Sequence, residues 1–223
     1  MRTRLSLTLL GLALLVPLLR ADDVQRIKLA VERQDGSAWK PVDSALVFAA
    51  GDKLRFKISA TFAGYLYVMN HGTSGAYDLL FPRSDTGADN RIEAQKEYVV
   101  PVTQGWFKVT GPAGHDIVYW VISPVKLGNE YRPLPPPPPH PDLPLSFKPR
   151  CDDTIFKSRG DCVDTSAGVK PLKEGEAVPK NLGSIATPTP RELLFIQEKG
   201  ATVVSSPAPL TGPVVYELRL AHR

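Results

Sequence analysis

The constraint that most narrows the fold is a rhythm of short alternating segments broken by glycine and proline. Val24 to Arg33 alternates apolar and polar residues and stops at Asp35-Gly36. Lys53 to Ser59 sets Leu54, Phe56 and Ile58 on one side and Arg55 and Lys57 on the other. A period of two is what a strand with one buried face requires, because successive side chains leave opposite sides of the pleat. Further strands are expected at Tyr65–Asn70, Tyr77–Phe81, Glu97–Val102, Gly105–Thr110 and Asp116–Ser123. Tyr65–Asn70 is apolar on both faces, which predicts a central position. His71 to Gly75 reads as a hairpin loop, and Gly111-Pro112-Ala113-Gly114 as a tight connection. The chain holds 17 glycines and 22 prolines, and a helical period is suggested only near Pro190–Leu194. About seven short strands with turn signals between them predict an all-β, two-sheet sandwich.

The N-terminus has a different character. Arg2 and Arg4 precede a run of apolar residues from Leu5 to Leu19, and Ala21 offers a small residue before Asp22-Asp23. That order describes a secretory signal peptide over residues 1–21. The run is shorter than the roughly 20 residues of a comfortable membrane span. Pro17 and Arg20 make the cleavage site imperfect, so an uncleaved anchor is the alternative. No second long apolar stretch exists, and no membrane span is expected after cleavage. The localisation expected is exported, periplasmic or extracellular.

Export changes the charge balance. The whole chain has 27 Lys+Arg and 23 Asp+Glu. Arg2, Arg4 and Arg20 belong to the leader, leaving 24 cations against 23 anions. A duplex-binding protein needs a clustered basic face to displace counterions, so nucleic acid is not expected as a partner. Cys151 and Cys162 are the two cysteines of the chain. In an oxidising compartment they are expected to form a disulfide; free thiols or a metal are the alternatives.

Beyond Gly128 the chain changes again. Tyr131 to Pro144 has proline at more than half its positions and reads as an extended polyproline II spacer or strap. The expected organisation is a sandwich domain from residues 22–128 and 190–223, a proline-rich strap at 129–150 and an irregular, disulfide-containing insertion at 151–189. Val214 to Ala221 alternates, with Val214, Tyr216, Leu218 and Leu220 on one face. Such an apolar terminal strand needs a sheet to join, and the sheet expected is that of the N-terminal sandwich.

The ordered strings Gly51-Asp-Lys-Leu-Arg-Phe56, Gly64-Tyr-Leu-Tyr-Val68, Asp78-Leu-Leu-Phe-Pro82, Asn90-Arg-Ile92, Phe107-Lys-Val-Thr-Gly-Pro112 and Tyr119-Trp-Val-Ile-Ser-Pro124 resemble the domain of unknown function 4384. The resemblance covers residues 46–125, and Val215 to His222 extends the same pattern. It implies an immunoglobulin-like β-sandwich of bacterial envelope or multidomain proteins. It implies no catalytic residues.

Local chemistry is sparse. His71, Ser74 and Asp78 could be imagined as a hydrolytic trio, but Gly72-Thr73-Ser74-Gly75 is not the nucleophile elbow of a hydrolase. The remaining histidines show no metal-ligand spacing. Asp152, Asp153, Asp161 and Asp164 do not match a calcium loop and read as solvated carboxylates. Arg159-Gly160-Asp161 copies an adhesion tripeptide, and Arg132 to Pro137 copies a ligand for SH3-type grooves; both are short enough to arise by chance. Tyr65, Tyr67, Trp106 and Tyr119 are the candidate partner surface, with core packing as the alternative. No catalytic residue, cofactor or metal is assigned. The function expected is non-catalytic: an exported module for protein binding or assembly with unidentified envelope proteins. The alternative is a hydrolase or other small-molecule enzyme whose site is built from loops.

Overall fold

The computed structural model describes residues 24–127, 148–172, 193–198, 200–206, 209–210 and 212–223. The leader at 1–21, nearly all of the strap and most of the helical turn expected at Pro190–Leu194 lie outside the described residues, and Leu194 itself opens a strand. Among the described residues fourteen strands and one helix follow in order: β1 (Gln25–Asp35), β2 (Ala38–Val42), β3 (Val47–Phe48), β4 (Lys53–Ala60), β5 (Gly64–His71), β6 (Tyr77–Phe81), β7 (Arg91–Ile92), β8 (Glu97–Val100), β9 (Phe107–Lys108), β10 (Gly114–Ser123), α1 (Asp153–Arg159), β11 (Gly168–Pro171), β12 (Leu194–Glu198), β13 (Ala201–Ser206) and β14 (Val214–His222).

They form two sheets. Sheet 1 runs β12-β13-β1-β4-β8, with β2 beside β1 and β9 beside β4; sheet 2 runs β11-β14-β10-β5-β6, with β3 beside β14 and β7 beside β5. Written with immunoglobulin letters, β1, β4 and β8 are A, B and E of one sheet. β14, β10, β5 and β6 are then G, F, C and C′ of the other. That order resembles an immunoglobulin-like sandwich, without a D or C″ strand in the path among the described residues. β3 lies parallel to β14, Val47 opposite Ala221 and Phe48 opposite His222. It is the short stretch by which the first part of the chain crosses between sheets.

The core is where the two inner faces meet. β4 buries Leu54, Phe56 and Ile58 while its intervening residues stay half-exposed, as period-two alternation demands. Trp120 is fully buried, stacked on Tyr216 of the next strand at 6.5 Å between centroids, with Phe56 edge-on to it at 5.2 Å. These rings bridge the sheets at the centre of the sandwich. The immunoglobulin pattern of a strand-C tryptophan over an inter-sheet disulfide is absent from the described residues; an F-strand tryptophan fills the space instead.

The terminal strand takes a central role. β14 pairs with β10 along nine residues, from Gly114 opposite His222 to Ile122 opposite Val214. The long segment between F and G therefore leaves sheet 2 and returns to it. On the way it adds β11 to the edge of sheet 2 and the hairpin β12–β13 to the A edge of sheet 1, where Gln25 to Leu29 pair with Ser206 to Thr202.

Three local features differ from the sequence reading. The stretch read as irregular contains α1, started by Asp152, whose Oδ1 accepts from the Thr154 amide at 3.0 Å. It is ended by Gly160 in the left-handed region at φ 74°, the backbone state glycine adopts without a Cβ penalty. Seven residues in a disulfide loop are too few to show a helical period. The same stretch also supplies β11. Finally, β9 is confined to two residues of the expected strand at 105–110.

Candidate binding surfaces

The insertion is fastened to the sandwich by covalent and polar contacts. Cys151 and Cys162 form the disulfide. Cys162 is buried against Val47, Ala167 and Ala221, and its carbonyl accepts from the Val47 amide at 2.8 Å. Asp164 is the polar hub. Its carboxylate accepts from the Arg150 amide at 2.9 Å, the Ser166 amide at 2.8 Å and the Ser166 hydroxyl at 2.6 Å, while its own amide donates to Ala45 O at 2.9 Å. His115 on β10 completes the tie, with Nε2 3.2 Å from Asp164 Oδ2. Burial pushes the Asp164 carboxyl up, but the Ser166 and Arg150 hydrogen bonds and the His115 charge outweigh it and hold it below the usual value.

His115, Ser166 and Asp164 are in contact but do not form a nucleophilic triad. Ser166 Oγ and Asp164 Oδ2 both lie 3.2 Å from the same ring nitrogen, whereas a triad needs its carboxylate on the opposite nitrogen. His71, Ser74 and Asp78 do not converge either. His71 is opposite Tyr77 and stacks on it at 3.9 Å. Asp78 is opposite Asn70, one step along the strand and so directed to the other face. Burial depresses the His71 pKa, with partial opposition from Asp116. Among the described residues no group of three or more His, Cys, Asp or Glu could hold a metal ion.

Tyr65, Tyr67 and Tyr119 share the outer face of sheet 2 with Met69 and Val121. Tyr67 and Tyr119 are each 5% exposed, and the Tyr67 hydroxyl accepts from the Leu127 amide at 3.0 Å. Leu127 and Leu172 pack on this cluster. Trp106 is apart from them, 46% exposed beside sheet 1, with the Lys53 ammonium 4.2 Å from its ring centroid. The four aromatic residues thus do not make one surface.

Sheet 1 presents two outer features that the sequence reading did not single out. At one end β12 is the edge strand, and Leu194 and Ile196 are 61% and 52% exposed. Beside it lies a shallow depression of about 210 Å³ lined by Arg26, Lys28, Gln95 and Glu198 among others. At the other end Trp39 and Trp106 flank Arg55, Lys53 and Lys108. Trp106 is the one residue of this patch that the sequence pointed to; Trp39, beside the Asp35-Gly36 turn, is a second aromatic signal for it. Among the described residues no helix is long and apolar enough to cross a membrane.

No curated protein and no solved structure matches the chain. Residues 47–126, from β3 to just past β10, match the family model described as Domain of unknown function (DUF4384), the family the strand order resembles.

Proposed function

We propose that this protein is an exported, non-catalytic module that binds a protein partner in the cell envelope through the β12 edge of sheet 1. The observation that carries this reading is the edge itself. Leu194 and Ile196 project from a strand whose other side has no partner strand among the described residues. An exposed apolar edge is a template for a further strand, with main-chain bonds supplying affinity and alternate side chains supplying specificity. The long F–G segment supports it, because that segment's last act before rejoining sheet 2 is to build this edge. Export rests on the leader-like sequence at 1–21.

A photoreactive residue at Ile196 of the full chain, expressed in its native cells, is expected to trap one defined envelope protein. Leu194→Lys should abolish the adduct without shifting the unfolding midpoint. Absence of any adduct, or one indifferent to Leu194→Lys, removes the edge from the account. The recovered protein should begin at Asp22 by intact mass; a retained Met1 overturns cleavage.

A further inference from the structure

Two lysines face each other on the outer side of sheet 1 with no acid between them. Lys53 opens β4, Lys108 closes β9, and the register sets them directly opposite. Like charges in that position weaken a sheet. Three other cations of this face are neutralised: Lys28 by Glu198 at 3.2 Å, Arg55 by Glu32 at 2.5 Å and Lys57 by Glu97 at 2.7 Å. Among the described residues Lys53 and Lys108 are in no ion pair. Asp52, next to Lys53 in sequence, is turned elsewhere: its carboxylate accepts from the Ala49 amide at 2.9 Å and lies 3.8 Å from Arg33.

Aromatic rings frame this uncompensated charge. Trp106 holds the Lys53 ammonium at 4.2 Å and remains 46% exposed. Trp39 carries the Arg55 guanidinium at 4.6 Å. At this end of the sheet the strands succeed one another as β2, β1, β4 and β9. Gln34 is opposite Trp39, and the register of β1 with β4, continued one step past Arg33–Leu54, sets Gln34 abreast of Lys53. Trp39, Gln34, Lys53 and Lys108 therefore form one row across the strands. With strands about 4.8 Å apart the row is about 14 Å long.

We propose that this row binds a linear acidic glycan, a chain of sugar rings bearing carboxylates. Trp106 and Trp39 offer flat apolar surfaces at low entropic cost, and Lys53 and Lys108 place two positive charges beside them for the carboxylates. A narrow chain lying along the row meets both lysines, and Asp35, next to Gln34, is already paired with Lys40 at 2.6 Å. A membrane plane fits worse, because Glu97 and Glu198 stand on the same face with side chains 59% and 51% exposed and would meet the same anionic surface. The proposal uses no residue of β12, so it stands or falls separately from the edge-strand reading.

The test is titration of the full chain with polygalacturonate, followed by tryptophan fluorescence and by calorimetry. Saturable binding is expected, at least about fivefold weaker at 0.2 M than at 0.02 M salt as the screening length shrinks. Lys53→Glu with Lys108→Glu should weaken binding by more than about tenfold, and Trp106→Ala by about fivefold or more. Lys108→Gln is the milder companion if the double variant unfolds, and should still weaken binding measurably. Phe156→Ala, an exposed residue of α1 outside sheet 1, should leave binding unchanged. Absence of binding overturns the proposal, as does equal binding of a neutral glucan or binding indifferent to the lysine and tryptophan variants. Tighter binding to anionic phospholipid vesicles or to single-stranded DNA overturns it in favour of those ligands.

Discussion

The two sheets share a core but differ on their outer sides. In sheet 2 the outward residues Tyr67, Met69, Tyr119, Val121 and Val215 are as buried as core residues, between 0 and 5% exposed. In sheet 1 the outward residues of β4 include Lys53, Arg55 and Lys57, all half-exposed, with Arg55 and Lys57 paired to glutamates and Lys53 over the Trp106 ring. One side of the sandwich is thus an interior with cover on it, and the other is the molecule's charged surface. The difference is written in the strands themselves. β4 alternates and ends in solvent, whereas β5, β10 and β14 are apolar on both faces and need cover on both. A doubly apolar strand in an antiparallel sheet signals a further layer as well as a central position.

The largest effects should come from the shared core. Trp120→Ala removes the ring that Tyr216 stacks on and Phe56 meets edge-on, and is expected to cost about 3–5 kcal/mol. Chemical denaturation with a two-state fit checks it. The sharper comparison pairs one outward residue from each sheet. Met69→Ala should cost about 2–5 kcal/mol, like a core truncation, while Lys57→Ala should cost no more than about 1 kcal/mol because its ion pairs are partly exposed. Equal costs for the two would erase the distinction between covered and open faces.

The disulfide-bearing insertion beside sheet 2 can be loosened. Cys151→Ala with Cys162→Ala frees the segment that carries α1, Asp164 and β11. The chain-entropy model gives a loss of about 2–3 kcal/mol for a loop of this length. Hydrogen exchange should speed first in β11, whose Gly168 to Pro171 pair with Arg219 to Tyr216, and hardly at all in β4. Uniform acceleration across both sheets would mean that the insertion is integral to the whole sandwich.

Much of this was legible in the residues. Lys53–Ser59 and Tyr65–Asn70 announce β4 and β5 because alternation and turn glycines are local properties, and the apolar tail announces a strand in search of a sheet. The cysteines announce their pairing by being the two cysteines of the chain, eleven positions apart. What remained hidden depends on contacts distant in sequence. Nothing local in Leu193–Ile196 says that β12 will extend sheet 1 rather than sheet 2. Tyr67 and Tyr119 are indistinguishable in sequence from surface tyrosines until Leu127 and Leu172 are seen packed on their cluster. Lys53 and Lys108 are unremarkable until the register sets them face to face. Asp164 reads as one loop carboxylate among four, and only the fold gives it Arg150, Ser166, Ala45 and His115.

The smallest effect separates the sheets by pH. Each described histidine lies on a sheet 2 strand: His71 on β5, His115 on β10 and His222 on β14. Burial lowers the His71 pKa from its ordinary 6.5, against a smaller opposing pull from Asp116. The native state therefore binds that proton less readily than the unfolded chain. Its contribution is fully present above pH 6.5 and declines as pH falls through the depressed native value, the sign that linkage requires. His71→Gln, which cannot titrate, should flatten this part of the stability profile between pH 7.5 and pH 5, read from urea midpoints. Below it a second decline is expected, because Asp164 is held under its ordinary 3.8 and loses its hydrogen bonds once protonated. Asp164→Asn should remove that lower limb and leave the His71 limb in place. Persistence of the upper limb in His71→Gln would move its origin away from the β5–β6 hairpin to another titrating group.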